Sequence, residues 1–364
     1  MIYFVTFMIS VLFFYVGNKT SLKYGKRVLH IAALFLPILL SAFRAQSVGV
    51  DTGFYAYPVF RIAKTYDSFF SFIGYDGLEP GFLFLEYIGA NIFDSFPFVL
   101  GSMQFITNYC VYKTICELDE EKNLPIGMLV FYFLGYGPSL NVIRQYAAAA
   151  LVLLALAYLK NKKYVLCGVM IGLAYLFHTT ALLAILFVGI YFVVYDKRVF
   201  YVFITLVLII AYHVITRWKE VFPIIFKYVT VWRINYSSYL DYNSRGDSNE
   251  TAMLLALISI LIVGANIIKD NSEWNRFLLT VAVIYLVGQP LVEQINMISR
   301  VLIYPGFILM VTYPMLNNII RVRYINHKKY NLAAGILCVL LFASWYYSVI
   351  LNNANGIIPY EFAF

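Results

Sequence analysis

The clearest indication of the fold is residues 145–178, QYAAAALVLLALAYLKNKKYVLCGVMIGLAYLFH. Two long apolar runs, residues 145–159 and 164–178, are separated by the short basic loop KNKK. Over all 364 residues, 62% are hydrophobic and 13% are charged, whereas soluble domains average about 45–50% apolar and about 25% charged residues. Long apolar runs between short charged loops are typical of membrane proteins. The sequence therefore predicts an all-α, polytopic transmembrane helical bundle.

The same pattern recurs along the chain and predicts about twelve spans within a single integral membrane domain, residues 1–364. One further apolar run, residues 81–93, is too short to cross a bilayer. Pro80 before it favours a helix start, so we interpret this run as a re-entrant or interfacial helix. The predicted spans are residues 1–16, 28–43, 96–116, 124–141, 145–159, 164–178, 180–195, 199–216, 251–268, 277–291, 301–317 and 331–350.

The distribution of lysine and arginine predicts the orientation. Most of the 27 basic residues fall in alternate short loops, which are therefore expected to be cytoplasmic. This topology accounts for the net charge of +8 and argues against a nucleic-acid partner. Two long segments, about 44–80 and 217–250 with Arg233, then face outward. Loops of this length are usually functional, and their many aromatic rings suit either sugar stacking or headgroup anchoring.

The first outer motif is FRAQSVGVDTGFY, residues 43–55. Arg44 ends the second predicted span, and Asp51, Thr52 and Tyr55 follow in the loop. One interpretation is a helix-end cap with a surface ion pair. The other is that the arginine binds a phosphate while the carboxylate binds a hydroxyl nucleophile.

Two further motifs carry a carboxylate and a cation on the same predicted side. In GLEPGF, residues 77–82, Glu79 lies at a helix start, where it either caps the helix dipole or acts as a general base or sugar-hydroxyl acceptor. In NVIRQYAAAA, residues 141–150, Arg144 and Gln145 lie at the outer end of two spans. The following alanines favour close helix packing or leave room for a lipid chain.

The last two motifs lie further along the chain. FHTTA, residues 177–181, places His178 in an outer turn, where it is either a structural residue or part of the site. QPLVEQINMISRVLIYPGF, residues 289–307, contains Glu293 and Arg300, which form either an interfacial ion pair or a phosphate contact. No metal site or cofactor is expected, because the sequence contains no D-x-D, H-E-x-x-H, Walker or dinucleotide-binding motif.

The order of these motifs resembles the EpsG family, bacterial polysaccharide-synthesis membrane proteins related to Wzy-type O-antigen and capsule polymerases. The resemblance rests on Arg-x(4)-Gly-x-Asp-Thr-x(2)-Tyr from Arg44 to Tyr55, then Glu-Pro-Gly, Ile-Arg-Gln with an alanine run, Phe-His, and an arginine before Tyr-Pro-Gly-Phe. It covers about residues 28–310, and residues 217–250 match nothing in it.

The resemblance implies a metal-independent glycosyltransferase in the bacterial plasma (inner) membrane, with its active site facing the periplasm or cell exterior. It implies a GT-C-like fold and a substrate that is an undecaprenyl-diphosphate-linked oligosaccharide, together with membrane lipid. A chain-length regulator and a flippase are the expected protein partners.

The implied roles combine the resemblance with the chemistry of the side chains. We expect Arg144 and Arg300 to hold the diphosphate with help from Arg44. The base that deprotonates the acceptor hydroxyl is one of three residues, and further side chains bind substrate. The candidate bases are Asp51, Glu79 and His178, and the other expected substrate contacts are Thr52, Tyr55, Gln145, Arg233 and Glu293.

Three alternatives remain at this level. One is another polyprenyl-linked-sugar transferase or a ligase, which would transfer one sugar or one chain. Another is a flippase or transporter of the lipid-linked oligosaccharide, which would carry mid-span charges near broken helices. The third is a non-catalytic scaffold of the assembly machinery.

Overall fold

The computed structural model confirms the all-α class. Over the residues that it describes, the chain is helical, and the only extended pairing among them is an isolated bridge between Arg44 and Phe362. The chain divides into two compact units, residues 1–184 with 320–364, and residues 185–319. The described residues are 1–118, 121–221, 250–292, 297–315 and 327–363.

Over the residues that the structure describes, each predicted span coincides with a helical segment. The helices are α1 (Ile2–Lys19), α2 (Lys23–Ala42), α3 (Tyr57–Ala63, after a π-helical turn at Thr52–Ala56), α4 (Phe69–Phe72), α5 (Pro80–Asn91), α6 (Phe96–Glu117), α7 (Leu124–Phe131), α8 (Gly137–Asn141, joined to α7 by a π-helical turn at Tyr132–Tyr136), α9 (Ile143–Lys160), α10 (Tyr164–Phe177), α11 (Leu183–Val193), α12 (Lys197–Thr216), α13 (Glu250–Ile267), α14 (Glu273–Val292), α15 (Met297–Leu309) and α16 (His327–Trp345, continued by a π-helical turn at Tyr346–Leu351).

Several of these helices have the length and composition of membrane spans. Within the described part of the chain, six helices are long and apolar enough to cross a bilayer, and four shorter helices are also apolar. The protein is therefore a membrane protein with a polytopic helical bundle. The six are Ile2–Lys19, Lys23–Ala42, Ile143–Lys160, Lys197–Thr216, Glu273–Val292 and Ile298–Met315.

The centre of the first unit is α9. Its residues from Ile143 to Leu159 are buried, apart from Arg144, and it packs against α6 and α10. The alanines at 147–150 are at most 1% exposed. Small side chains allow helix backbones to approach closely, so the alanine run packs within the protein and is not open to a lipid chain.

Residues 51–95, which we call the cap, cover one end of α6 and α9. The 12-residue α5 is about 18 Å long at 1.5 Å per residue, too short for a hydrocarbon core of about 30 Å, as the sequence predicts. Its buried face carries Phe82 and Leu83. These join an apolar cluster that includes Met103 on α6 and Ala147 on α9.

Residues 353–363, which we call the C-terminal strap, lie along the segment that follows α2. Three backbone hydrogen bonds join the two segments, and Tyr360 adds a bond from its hydroxyl to the Leu40 carbonyl, at 2.8 Å. The strap thereby fixes the loop that leads into the cap. The backbone bonds run from Ala45 N to Glu361 O (2.8 Å), from Gly49 N to Gly356 O (2.8 Å) and from Ala363 N to Phe43 O (3.0 Å).

In the second unit, α14 packs against α12, α13 and α15. Its Arg276 is 6% exposed and donates to the backbone carbonyls of Val194, at 2.7 Å, and Tyr195. This arginine therefore joins the start of α14 to the end of α11.

Candidate functional site

The structure brings Glu79 and Arg144 into direct contact. Glu79 is the N-cap residue of α5, and Arg144 is the second residue of α9. The guanidinium Nη1 donates to Glu79 Oε2. The other carboxylate oxygen, Oε1, accepts a hydrogen bond from the backbone N–H of Thr179 at 3.2 Å. Both carboxylate oxygens are thus engaged, one by a cation and one by a backbone donor.

Two aromatic rings hold the Arg144 guanidinium in place. Its central carbon lies 4.9 Å from the centre of the Tyr55 ring and 5.6 Å from that of Phe82. Cation–π contacts of this kind are worth roughly 0.5–2 kcal/mol, more where water is excluded. The Arg144 side chain keeps 19% of its surface exposed.

Tyr55 connects this pair to Asp51. Its phenol lies within electrostatic range of both Arg144 and Asp51. Burial raises the pKa of the Tyr55 phenol, Asp51 raises it further and Arg144 opposes the change, so the hydroxyl keeps its proton and can donate to the carboxylate. Asp51 is positioned through its backbone N–H, which donates to Asn141 Oδ1 at 3.3 Å.

His178 lies beside the same carboxylate and belongs to a second small network. Its backbone is extended where α10 ends, and its Nδ1 accepts from the backbone N–H of Thr180 at 3.3 Å. The Thr180 hydroxyl is 2.7 Å from Nδ1 and accepts from Gln145 Nε2 at 3.3 Å. Since Nδ1 accepts from the backbone, a neutral ring with this geometry carries its proton on Nε2.

Arg44 has a different environment, because it is only 2% exposed. It donates to the Ser41 carbonyl at 3.1 Å and to the Ser41 hydroxyl. It also donates to Thr52 Oγ1 and to the Leu140 carbonyl, each at 3.2 Å. Burial lowers the pKa of Arg44 to about 10, so it is still a cation at neutral pH. In this arrangement Arg44 joins the end of α2, the Thr52 turn and α8, and its contact with a diphosphate stays a prediction.

The remaining predicted residues lie elsewhere. Arg300 is exposed near the start of α15 and belongs to the second unit. Arg233 and Glu293 lie outside the described residues, as does most of the segment 217–250. Among the residues that the structure describes, no group of three or more His, Cys, Asp and Glu side chains could hold a metal ion.

Three residues of the site were not singled out from the sequence. Thr179 contributes its backbone N–H to Glu79, Thr180 joins His178 to Gln145, and Phe82 covers Arg144. All three lie within or directly beside the quoted motifs. Their closeness in sequence to His178 and Glu79 is the one feature that points to them. A residue that acts through its backbone N–H, or through an apolar ring, cannot be recognised as functional from its side-chain chemistry.

Comparison with known proteins agrees with the resemblance noted from the motifs. A family model described as the EpsG family matches residues 26–362, nearly the whole chain. No curated protein and no solved structure matches the sequence. The EpsG family is associated with Wzy-type polymerases, which indicates a membrane polysaccharide polymerase or a glycosyltransferase-like function. The protein belongs to the EpsG family.

Proposed function

We propose that the protein is a polysaccharide polymerase of the bacterial plasma membrane. It transfers a growing glycan from undecaprenyl diphosphate onto the non-reducing sugar of a new lipid-linked repeat, at the outer face. The observation that carries this proposal is the partly exposed Arg144 side chain, whose guanidinium contacts two aromatic rings and the Glu79 carboxylate.

Arg144 is suited to the diphosphate of the donor. A guanidinium stays charged and binds phosphate oxygens through two parallel N–H donors. In glycosyl transfer the negative charge on the diphosphate grows as the sugar–oxygen bond breaks, and a fixed cation at that position lowers the barrier. In this proposal Arg144 does the work for which many glycosyltransferases use a metal ion, and the predicted contact of Arg300 with the diphosphate stays a prediction.

The reaction requires a base for the acceptor. The acceptor hydroxyl oxygen forms a bond to the anomeric carbon of the donor sugar, and the bond from that carbon to the diphosphate oxygen breaks. The electron pair leaves with the diphosphate, and the hydroxyl proton passes to a protein base. Of the three predicted bases, Glu79 binds the Arg144 guanidinium, and His178 directly precedes Thr179, whose N–H binds Glu79. The third, Asp51, acts electrostatically on the Tyr55 phenol that lies against Arg144.

The cap also offers aromatic surface for sugars. Phe54 and Phe70 are 81% and 85% exposed, and Tyr55 packs edge-on against Phe82 at 5.7 Å. The apolar faces of sugar rings stack on flat aromatic side chains. The same exposed rings would otherwise anchor the cap among lipid headgroups.

Arg144 variants test the proposal in a strain that lacks the chromosomal copy. Arg144→Ala is expected to lower the amount of long polymer by about 100-fold, the usual cost of removing one donor to a developing charge. Arg61→Ala is the matched control, because Arg61 is an exposed arginine on α3 of the same cap. Full-length polymer from Arg144→Ala at normal protein level would remove Arg144 from the mechanism.

A further inference from the structure

The Glu79 carboxylate occupies the position that an anionic ligand of Arg144 would take. One of its oxygens binds the guanidinium and the other accepts the Thr179 N–H at 3.2 Å. Phosphate oxygens also accept hydrogen bonds from guanidinium groups and from backbone N–H groups. The site is therefore filled by an anion that belongs to the protein itself.

A diphosphate and the Glu79 carboxylate cannot share these donors. Two anions at contact distance repel each other strongly where water is partly excluded, and the Glu79 side chain is only 9% exposed. A diphosphate carries more negative charge than a single carboxylate, and its oxygens can engage both donors at once. Binding of the diphosphate should therefore require the carboxylate to leave.

The local structure allows the carboxylate to leave while Arg144 stays. Glu79 has extended backbone angles, φ −72° and ψ 140°, and its side chain caps no N–H of α5. In the preceding turn, a Cβ added at Gly74 or Gly77 would meet no atom within 4 Å. By contrast, Arg144 is held by Tyr55 and by Phe82, whose contacts do not involve the carboxylate.

We propose that Glu79 is an internal occupant of the diphosphate subsite, and that the diphosphate of the donor displaces it and so frees it to act as the base. This inference rests on the proposed function in taking a diphosphate as the ligand and glycosyl transfer as the reaction. A carboxylate released from its guanidinium partner in a partly buried site gains proton affinity. It then accepts the proton of the acceptor hydroxyl, while the electron pair of the broken sugar–oxygen bond leaves with the diphosphate on Arg144.

This arrangement imposes an order on the reaction. The base is unavailable until the donor is bound, so an acceptor that enters first meets a carboxylate already paired with Arg144. The donor is thereby protected from transfer to water before its diphosphate is seated.

The inference predicts that a single substitution at Glu79 has opposite effects on binding and on turnover. Glu79→Gln removes the competing anion, so the purified full-length protein should bind inorganic pyrophosphate about tenfold more tightly than wild type, because the ligand no longer has to displace a carboxylate from Arg144. The same variant should make no long polymer. Isothermal titration calorimetry in detergent measures the affinity, and a polysaccharide gel measures the product.

Two controls separate this effect from others. Asp94→Asn removes one negative charge from the cap at an exposed site paired with Lys64 and should leave pyrophosphate affinity unchanged. Glu79→Asp keeps the charge on a shorter side chain, and it replaces Glu79→Gln if the latter does not fold. It should weaken the contact with Arg144 and so give an affinity between those of wild type and Glu79→Gln.

Pyrophosphate affinity that is unchanged or lower in both Glu79 variants would overturn the inference. That result would leave the polymerase proposal intact if wild type still restored the polymer ladder to a deletion strain. Tighter binding by Glu79→Gln, in a case where the wild-type gene does not restore polymer to a deletion strain, would uphold the displacement of Glu79 and reject the polymerase.

Discussion

The Arg144 guanidinium contacts the Glu79 carboxylate, although 65 positions separate the two residues in the sequence. Helix packing produces this contact. The start of α5, which carries Glu79, lies directly against the end of α10, and α10 packs against α9, which carries Arg144. A Cβ added at Gly81 would lie 2.7 Å from the Leu176 carbonyl oxygen, so only a glycine fits there. The position of the carboxylate therefore depends on a close backbone approach two residues away.

Gly81→Ala should impair the site by pushing α5 away from α10. The Cβ meets backbone, which cannot rotate aside, so Glu79 should move away from the Thr179 N–H and polymer formation should fall several-fold. Gly168→Ala is the matched control, since Gly168 is also helical but has no atom within 4 Å of the position that an added Cβ would take. Replacing a helical glycine by alanine there should add up to about 1 kcal/mol of stability.

A polysaccharide gel and thermal unfolding of the purified variants measure both effects. Equal polymer from Gly81→Ala and Gly168→Ala would show that the approach of α5 to α10 does not position Glu79.

Gly49→Ala should disrupt the loop that carries Asp51. Gly49 has φ +84°, its N–H donates to Gly356 of the strap, and an added Cβ would lie 2.5 Å from the Leu140 carbonyl oxygen. Gly74→Ala provides the comparison, because Gly74 has φ +88° and nothing within 4 Å. Both variants incur the strain of a left-handed alanine, about 1–2 kcal/mol, but only Gly49→Ala also meets a steric clash.

The unfolding temperature should therefore fall further for Gly49→Ala than for Gly74→Ala. Similar losses in the two variants would mean that backbone strain alone governs position 49, and that the contact with Leu140 is not important.

Glu86 should destabilise the folded protein at neutral pH. It is 0% exposed on the buried face of α5, and neither carboxylate oxygen has a hydrogen-bond partner within the part of the chain that the structure describes. Burial raises the pKa of Glu86 well above its usual value. Because its pKa is higher in the folded than in the unfolded protein, Glu86 costs no extra stability below the unfolded-state pKa of about 4.3, where it is protonated in both states. The folded protein loses stability as the pH rises from that value toward the folded-state pKa.

Glu86→Leu should therefore raise the free energy of unfolding by about 1–3 kcal/mol at pH 8 and by less at pH 5. Glu86→Gln, which cannot ionise but keeps a buried polar group, should give a smaller gain. Thermal unfolding followed by tryptophan fluorescence at the two pH values provides the measurement. A Glu86→Leu protein that is less stable than wild type at both pH values would contradict an unpaired carboxyl at this position.

The helices themselves could be predicted from local sequence. The span predicted at residues 145–159 is α9 at Ile143–Lys160, and the run at 81–93 is α5 at Pro80–Asn91. Apolar run length and the charged loops between runs determine these elements, and both are local properties. Placing Arg144 and Glu79 on one side of the bundle also required only the positive-inside rule, which explains why the motif residues were expected together.

The surroundings of Arg44 could not be predicted in the same way. At the end of a span next to a polar loop, an arginine is expected to face solvent, yet Arg44 is buried. The strap pairs with the residues on either side of it, about 320 positions away in sequence, and no local pattern encodes that contact. The burial of Glu86 could not be predicted either. The sequence indicates only that an apolar helix contains one carboxylate, and whether that carboxylate is buried depends on how the cap packs on α6 and α9.

The polymerase proposal is tested most directly by a gel of surface polysaccharide from a strain with this gene deleted, before and after complementation. We expect the ladder of chain lengths to collapse to a single lipid-linked repeat at the outer face, and to return with the wild-type gene but not with Arg144→Ala. Accumulation of the lipid-linked repeat on the cytoplasmic leaflet would instead identify a flippase and contradict a catalytic role for Arg144.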